Sequence, residues 1–235
     1  MNTNRIGLQW FFIIFLAEEN SIQVMAKLYF YYGAMGACKS ATAITTAYNY
    51  VEAEIGNGNA KERSRILRIL KPALETRDGE ATIRSRIGLE AECEIMEQFM
   101  EEFPVEELIM LTEEERKERF PFKVLIVDEA QFCTRAQIDY LSDIVDFLNV
   151  PVICYGLRAD FQNRLFPGSE RLMEIADKLE ELKTMCWCGR KATCNARYDE
   201  NGIVREGEQV LLGANHNYKA LCRKHYKEGL LFPPN

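Results

Sequence analysis

A chain of 235 residues with 47% hydrophobic side chains is long enough to bury a core and to carry a small accessory domain beside it. Its net charge of −7, with acids and bases interleaved, provides no broad basic face; this argues against nucleic acid or an anionic membrane as partner, and any phosphate must be held locally. The eight cysteines do not form a secreted disulfide framework, since Cys38, Cys93, Cys133, Cys154 and Cys194 are scattered while Cys186, Cys188 and Cys222 lie near one histidine, His225.

Residues 6–17 (IGLQWFFIIFLA) follow Arg5 and are apolar, but a run of this length is too short to span a bilayer. Glu18-Glu19-Asn20 follows directly and no small-x-small cleavage site appears, so export is disfavoured and a cytoplasmic protein is expected. Residues 1–24 read as an extension ahead of a catalytic domain that starts naturally at Met25.

From Lys27 to Tyr32 a run of β-formers enters a Gly/Ala turn, and a helix is predicted from about Ser40 to Glu54. The Gly-Asn-Gly-Asn cluster at 56–59 reads as a loop before a second strand, Ile66 to Leu70, which ends at Pro72. Cys93 to Met96 is a further strand candidate. Lys123 to Val127 is a buried strand followed by Asp128 and Glu129. Thr134 then starts a helix in which Ile138, Leu141, Ile144, Val145 and Leu148 recur with helical period. Pro151 to Tyr155 is another buried strand, and Ser169 to Leu182 reads as the last helix. Continuous apolar strands alternating with helices predict an α/β fold, a parallel sheet covered by helices on both faces. Beyond residue 182 the pattern turns to cysteines, glycines and short polar strands. The expected division is therefore a sheet domain over 25–181 and a small second domain over 182–235.

Gly33-Ala34-Met35-Gly36-Ala37-Cys38-Lys39-Ser40 occupies the turn between the first strand and the first helix, where unpaired backbone N–H groups and the helix dipole favour a phosphate. It approaches the pattern G-x-x-x-x-G-K-[ST], in which the lysine reaches the β- and γ-phosphates and the hydroxyl coordinates magnesium, but Cys38 stands in place of the second glycine. If that position is left-handed, a non-glycine residue costs about 1–2 kcal/mol. A chance Gly/Ala turn competes with this reading for the motif alone; its place after an apolar strand favours the phosphate loop.

Asp128 and Glu129 follow a buried strand, and at the carboxyl edge of a parallel sheet they point into the ligand crevice. Asp128 would support magnesium, directly or through water, and Glu129 would accept a proton from an attacking hydroxyl. The competing reading is a solvated strand end.

Cys186-x-Cys188 and Cys222-x-x-His225 supply four ligands suited to a closed tetrahedral zinc site. The alternative is buried free thiols. Cys194 lies near enough to compete as a ligand, but Lys191-Ala192-Thr193-Cys194-Asn195 reads as strand and not as a knuckle turn.

Taken in order, these motifs resemble the zinc-ribbon thymidine kinases of the bacterial, phage and animal cytosolic type, over almost everything from Met25 to Tyr226. The resemblance is carried by the 33–40 loop, Lys71-Pro72-Ala73-Leu74-Glu75-Thr76-Arg77, Ser85-Arg86-Ile87-Gly88, Asp128-Glu129-Ala130-Gln131-Phe132, Tyr155-Gly156-Leu157-Arg158-Ala159-Asp160-Phe161 and Leu221-Cys222-Arg223-Lys224-His225-Tyr226. It implies a P-loop NTPase-like, ATP-binding sheet domain over 25–181 and a small zinc-binding ribbon domain over 182–235 whose long loop, the lasso, closes over thymidine. It also implies Glu129 as general base, Lys39 and Ser40 as phosphate and magnesium contacts, Gln131 beside the acidic pair on the ATP side, and Arg77 as stabiliser of transferring charge. Phe161 would stack on thymine, Gln209, Val210, Leu211, Leu212 and Gly213 would read the base through backbone groups, and Tyr218 would close the loop. Read without the resemblance, Phe161 and Tyr218 are as readily core aromatics. A homotetramer and feedback inhibition by thymidine triphosphate are further family expectations. The chain departs from the family at Cys38, at Glu75 in place of aspartate, and in a longer insertion at residues 56–65. Cys38 keeps a catalytically impaired nucleotide-binding relative as the rival reading. A helicase-like ATPase is disfavoured by the missing basic stripe.

Overall fold

The computed structural model describes residues 25–55, 59–74, 81–210 and 217–233, so the 1–24 extension, Glu75, Arg77, Leu211, Leu212 and Gly213 lie outside the described residues. In chain order the sheet domain is built from β1 (Leu28–Gly33), α1 (Lys39–Ile55), α2 (Ala60–Ser64), β2 (Leu67–Lys71), β3 (Thr82–Arg84), β4 (Glu90–Glu92), β5 (Glu94–Ile95), α3 (Met96–Glu102), α4 (Val105–Met110) and α5 (Glu113–Arg119). It continues with β6 (Val124–Val127), a 3-10 turn (Ala130–Phe132), α6 (Arg135–Leu148), β7 (Val152–Leu157), α7 (Pro167–Ile175) and β8 (Lys178–Glu181). After these come β9 (Thr184–Met185), β10 (Lys191–Ala192), β11 (Cys194–Asp199), β12 (Gly202–Ile203), β13 (Asn217–Leu221) and α8 (Arg223–Glu228).

Six strands form one sheet in the order β5-β2-β6-β7-β1-β8, with every neighbouring pair parallel. Both faces are covered, which is why the strands read as unbroken apolar runs. Alternation along β6 divides its residues: Val124 and Ile126 pack with Ala43 and Ala47 of α1, while Leu125 and Val127 pack with Ile138, Leu141 and Ile144 of α6. Each such fully buried aliphatic side chain contributes about 1.5–3 kcal/mol. The small residues Ala43 and Ala47, one helical turn apart, let α1 lie close on the sheet and so fix the direction in which its first turn points.

Thr134 caps α6 as predicted. Its hydroxyl accepts the Gln137 N–H at 3.2 Å, its own N–H donates to Gln137 Oε1 at 2.8 Å, and Asn149 ends the helix in the left-handed region at φ 54°. The predicted helix from Ser169 to Leu182 is corrected: α7 stops at Ile175, Ala176 turns extended, and Lys178–Glu181 form the edge strand β8 beside β1. Asp177 sits between the two and accepts the Leu28 N–H at 2.7 Å, tying the break to the start of β1. The strand candidate at Cys93 to Met96 shortens to β5, and Met96 opens α3.

Beyond Leu182 a separate small core gathers Cys186, Ala192, Cys194, Ala196, Leu221, Cys222 and Tyr226 around the antiparallel pairing of β11 with β12 and β13. Among the described residues no helix is long and apolar enough to cross a membrane.

Candidate active site

The carboxyl ends of β6, β7 and β1, consecutive neighbours in the sheet, bring the predicted motifs to one edge. Gly33 closes β1 where a side chain could not stand, because a Cβ there would lie 2.4 Å from the Leu182 carbonyl oxygen. The loop then turns through Gly36 at φ 78° and Cys38 at φ 56°. Cys38 therefore occupies the left-handed conformation that disfavours a side chain, and its exposed thiol gains little from packing. Its carbonyl accepts both the N–H and the hydroxyl of Thr42 at 2.9 Å, which begins α1. Lys39 is buried and donates to the Ala34 carbonyl at 3.1 Å, across the loop. Burial lowers its pKa, against the opposing pull of Glu129 and Asp128.

Asp128 follows β6 and is held by its own N–H, which donates to the Leu70 carbonyl at 2.9 Å. It is 3% exposed. Burial first, and then the neighbouring Glu129 charge, push its carboxyl up to about 7, while hydrogen bonds from Ser40 and from the Glu129 backbone work the other way. Ser40 and Asp128, predicted to share magnesium, are thus in contact. Glu129 is itself left-handed at φ 51°, which swings its carboxylate away from the strand direction to meet the Gln131 amide. Gln131 is fully buried and its Oε1 accepts the Leu157 N–H at 2.9 Å, so one side chain ties the acid to the end of β7. Gly156 leaves room for it: a Cβ there would sit 2.9 Å from Gln131 Oε1.

Phe161 lies beyond β7 and is 1% exposed. Asp160 shapes this turn by accepting the N–H groups of Gln162 and Arg164 at 2.8 and 2.9 Å through Oδ1. Its other oxygen, Oδ2, accepts the side-chain amide of Gln209 at 2.9 Å. The guanidinium of Arg197 lies 3.7 Å from the Phe161 ring centroid. The same group donates to the Tyr218 hydroxyl at 2.8 Å, to the Glu208 carbonyl at 2.9 Å and to the Gln209 carbonyl at 3.1 Å. Gln209, the start of the predicted lasso segment, and Tyr218, predicted to close it, are therefore gathered at Phe161 by one buried cation; Val210 is half-buried.

Cys186, Cys188, Cys222 and His225 converge with their ligand atoms all within 4.8 Å of one another, and Cys194 is not among them. The Cys186 N–H donates to the Arg190 carbonyl at 2.8 Å and the Gly189 N–H to the Cys186 carbonyl at 2.9 Å, which folds the first pair into a knuckle. Desolvation would raise the Cys186 thiol, but hydrogen bonds from the backbone of Cys188 and Cys222 and from His225 bring it down to about 6. Trp187 lies flat on His225, rings 4.1 Å apart and 3° from parallel. Three thiols and an imidazole at this spacing have the donor set and closure of a tetrahedral metal site. Tyr226, next to His225 on α8, donates its hydroxyl to the Phe161 carbonyl at 2.6 Å and so joins the cluster to the Phe161 turn.

Sequence reasoning missed Asn195 and Arg197. Both are buried polar residues of β11 that alternate with the apolar Cys194 and Ala196. That alternation is visible in the sequence, but a polar strand face ordinarily means solvent; here it faces the sheet domain.

A family model described as thymidine kinase matches residues 26–226. The thymidine kinase of Legionella pneumophila (strain Lens) is 46% identical over 206 residues, which cover 87% of this chain and 91% of that protein. The thymidine kinase of Rhodopirellula baltica is 44% identical over 207 residues, 88% of this chain and 90% of its own. That of Pasteurella multocida is 42% identical over 205 residues, 87% and 98% of the two chains. With a family match across nearly the whole chain and relatives this similar over most of both lengths, the chain belongs to the thymidine kinase family.

Proposed function

We propose that this chain transfers the γ-phosphate of ATP to the 5′-hydroxyl of thymidine. The observation that supports this reading best is the meeting, at one sheet edge, of Lys39, the Ser40–Asp128 contact and the Glu129–Gln131 contact. Phosphoryl transfer asks chiefly for positioning and charge neutralisation, and these residues supply both. Backbone N–H groups of Gly33 to Ser40 would cradle the phosphates, with Lys39 as their cation. Asp128 and Ser40 would hold magnesium, which when bound neutralises charge on the β- and γ-phosphate oxygens. Glu129 takes the proton of the 5′-hydroxyl as that oxygen bonds to the γ-phosphorus, and the bond from phosphorus to the bridging oxygen breaks to release ADP. Arg77 is assigned to the charge on the phosphoryl group in flight.

For the nucleoside, thymine would stack on Phe161, and because Arg197 covers one face of that ring the base would take the other. Because the ring is 1% exposed, neighbouring side chains have to yield to the base. Backbone groups from Gln209 through Gly213 would then read its edge, and Tyr218 would hold the loop closed. Cys186, Cys188, Cys222 and His225 would hold a structural zinc within a ribbon domain from residue 182 onward. The family reading further proposes a cytoplasmic homotetramer inhibited by thymidine triphosphate, acting in nucleotide salvage.

The left-handed Cys38 favours one rival, a relative impaired in ATP binding. Transfer of labelled γ-phosphate from ATP to thymidine, in the parent, Cys38→Gly and Glu129→Gln proteins, separates the two. An active parent whose kcat falls by about 10²–10⁴-fold in Glu129→Gln supports the kinase. A silent parent rescued by Cys38→Gly supports the impaired relative, and silence in all three folded proteins sinks the activity.

A further inference from the structure

Strand β11 runs Cys-Asn-Ala-Arg-Tyr-Asp, and its alternation sends Cys194 and Ala196 into the small core while Asn195 and Arg197 reach the sheet domain. Asn195 is 4% exposed, and both polar atoms of its amide are engaged across the junction. Its Oδ1 accepts the Met35 N–H at 2.8 Å, and its Nδ2 donates to the Ala159 carbonyl at 2.9 Å. Met35 lies in the loop 33–40, and Ala159 lies two residues before Phe161.

We infer that Asn195 is a positioning residue for nucleotide binding, fixing the outer wall of the 33–40 loop from the neighbouring subdomain so that ATP meets a loop already held in one conformation. The loop contains two left-handed positions, Gly36 and Cys38, and one of them carries a side chain that disfavours this conformation. Such a loop stays in register only if surrounding contacts over-determine it. At its root Gly33 is pressed against the Leu182 carbonyl; at its outer wall the Met35 N–H is met, among the described residues, by Asn195 alone. Remove the amide and the loop gains alternative conformations, so ATP must order it on binding and loses affinity accordingly. The Phe161 side is less exposed to the same loss, because Asp160 and Tyr226 anchor that turn independently. The effect therefore falls on ATP more than on thymidine. This inference rests on the kinase reading only in taking the 33–40 loop as the nucleotide's site.

The test compares the parent with Asn195→Ala and with Cys194→Ala, a control on the opposite face of the same strand. MgATP affinity by calorimetry, KM for each substrate, melting temperature and zinc content are measured in all three full-length proteins. Asn195→Ala is expected to raise both Kd and KM for MgATP by about fivefold to tenfold, the worth of one lost hydrogen bond, with thymidine KM changed less than about twofold. Cys194→Ala is expected to lower the melting temperature and leave MgATP affinity unchanged. An Asn195→Ala protein that binds MgATP like the parent, or that weakens both substrates alike, overturns the inference. If Asn195→Ala does not fold, Asn195→Ser measured in the same way decides. A parent that binds MgATP without phosphorylating thymidine defeats the kinase reading, while the affinity ratio still decides the role of Asn195; a parent that binds no MgATP defeats both.

Discussion

The side-chain amide of Gln131 donates to the carboxylate of Glu129, two residues before it, while its oxygen accepts the Leu157 N–H at 2.9 Å. The acid is thereby aimed by a buried group whose other end is fixed to the central sheet. Gln131→Ala is expected to lower kcat about tenfold to a hundredfold through misplacement of Glu129. It also leaves the Leu157 N–H buried without its partner, which destabilises by about 1–3 kcal/mol. Single-turnover transfer assays and thermal melts check the two parts separately.

Replacing Cys38 by glycine removes a side chain from a position at φ 56°. The relief of about 1–2 kcal/mol is opposed by about 0.5–1 kcal/mol of added chain entropy in the unfolded state. A net gain near 1 kcal/mol corresponds to a rise of about 2–4 °C in melting temperature for a chain of this size. Differential scanning calorimetry without nucleotide measures it; a fall in melting temperature would show that the thiol makes a compensating contribution.

The Asp128 carboxyl, raised from its ordinary 3.8 to about 7 by burial and by Glu129, makes apo-protein stability depend on pH. Between these values the folded state holds a proton that the unfolded state has released, so stability falls as pH rises through the window. Asp128→Asn should flatten this fall, and the variant should exceed the parent in melting temperature above pH 7 when chelator is present. Equal slopes in parent and variant would assign the dependence to other groups.

Arg197 holds Phe161, Tyr218 and the Glu208 and Gln209 carbonyls with one planar guanidinium. Lysine keeps the charge but not the fork of donors. Arg197→Lys is expected to raise the thymidine KM about tenfold or more, with the ATP KM little changed. Steady-state kinetics varying each substrate in turn provides the check.

The Cys/His cluster should bind one zinc per chain, lost in Cys222→Ser. Because Trp187 is stacked on His225, removing the metal should release the indole and shift its emission to the red. Trp187→Phe, titrated with chelator in parallel, should abolish the shift and so separate it from any signal of Trp10.

The sheet was legible because burial on both faces leaves an unbroken apolar run, as in Val124–Val127, and because Thr134 carries the chemistry of a helix start. The edge strand β8 was not, since Lys178, Glu180 and Glu181 give a strand with one open side the composition of an exposed helix. Three short helices between Met96 and Arg119 also escaped, although Thr112 and Glu115 form a capping box that the sequence displays. At the site, residues next to a strand end or in a Gly-rich turn could be found from local pattern: Lys39, Ser40, Asp128 and Glu129. Asn195 and Arg197 could not, because what they hold lies far away in sequence, Met35 by 160 residues and Phe161 on a separate turn.

The bond from Tyr226 to the Phe161 carbonyl has a pharmacological consequence. His225 and Tyr226 are adjacent on one short helix, so a reagent that alkylates the cluster is expected to disturb the Phe161 turn without touching it. Cys188 is the most exposed of the four cluster residues, whereas the Cys186 thiol, brought down to about 6 by its hydrogen bonds, is the sulfur with the most thiolate character. Such an inhibitor would act slowly, resist displacement by either substrate, and be blunted by whatever metal already occupies the thiols.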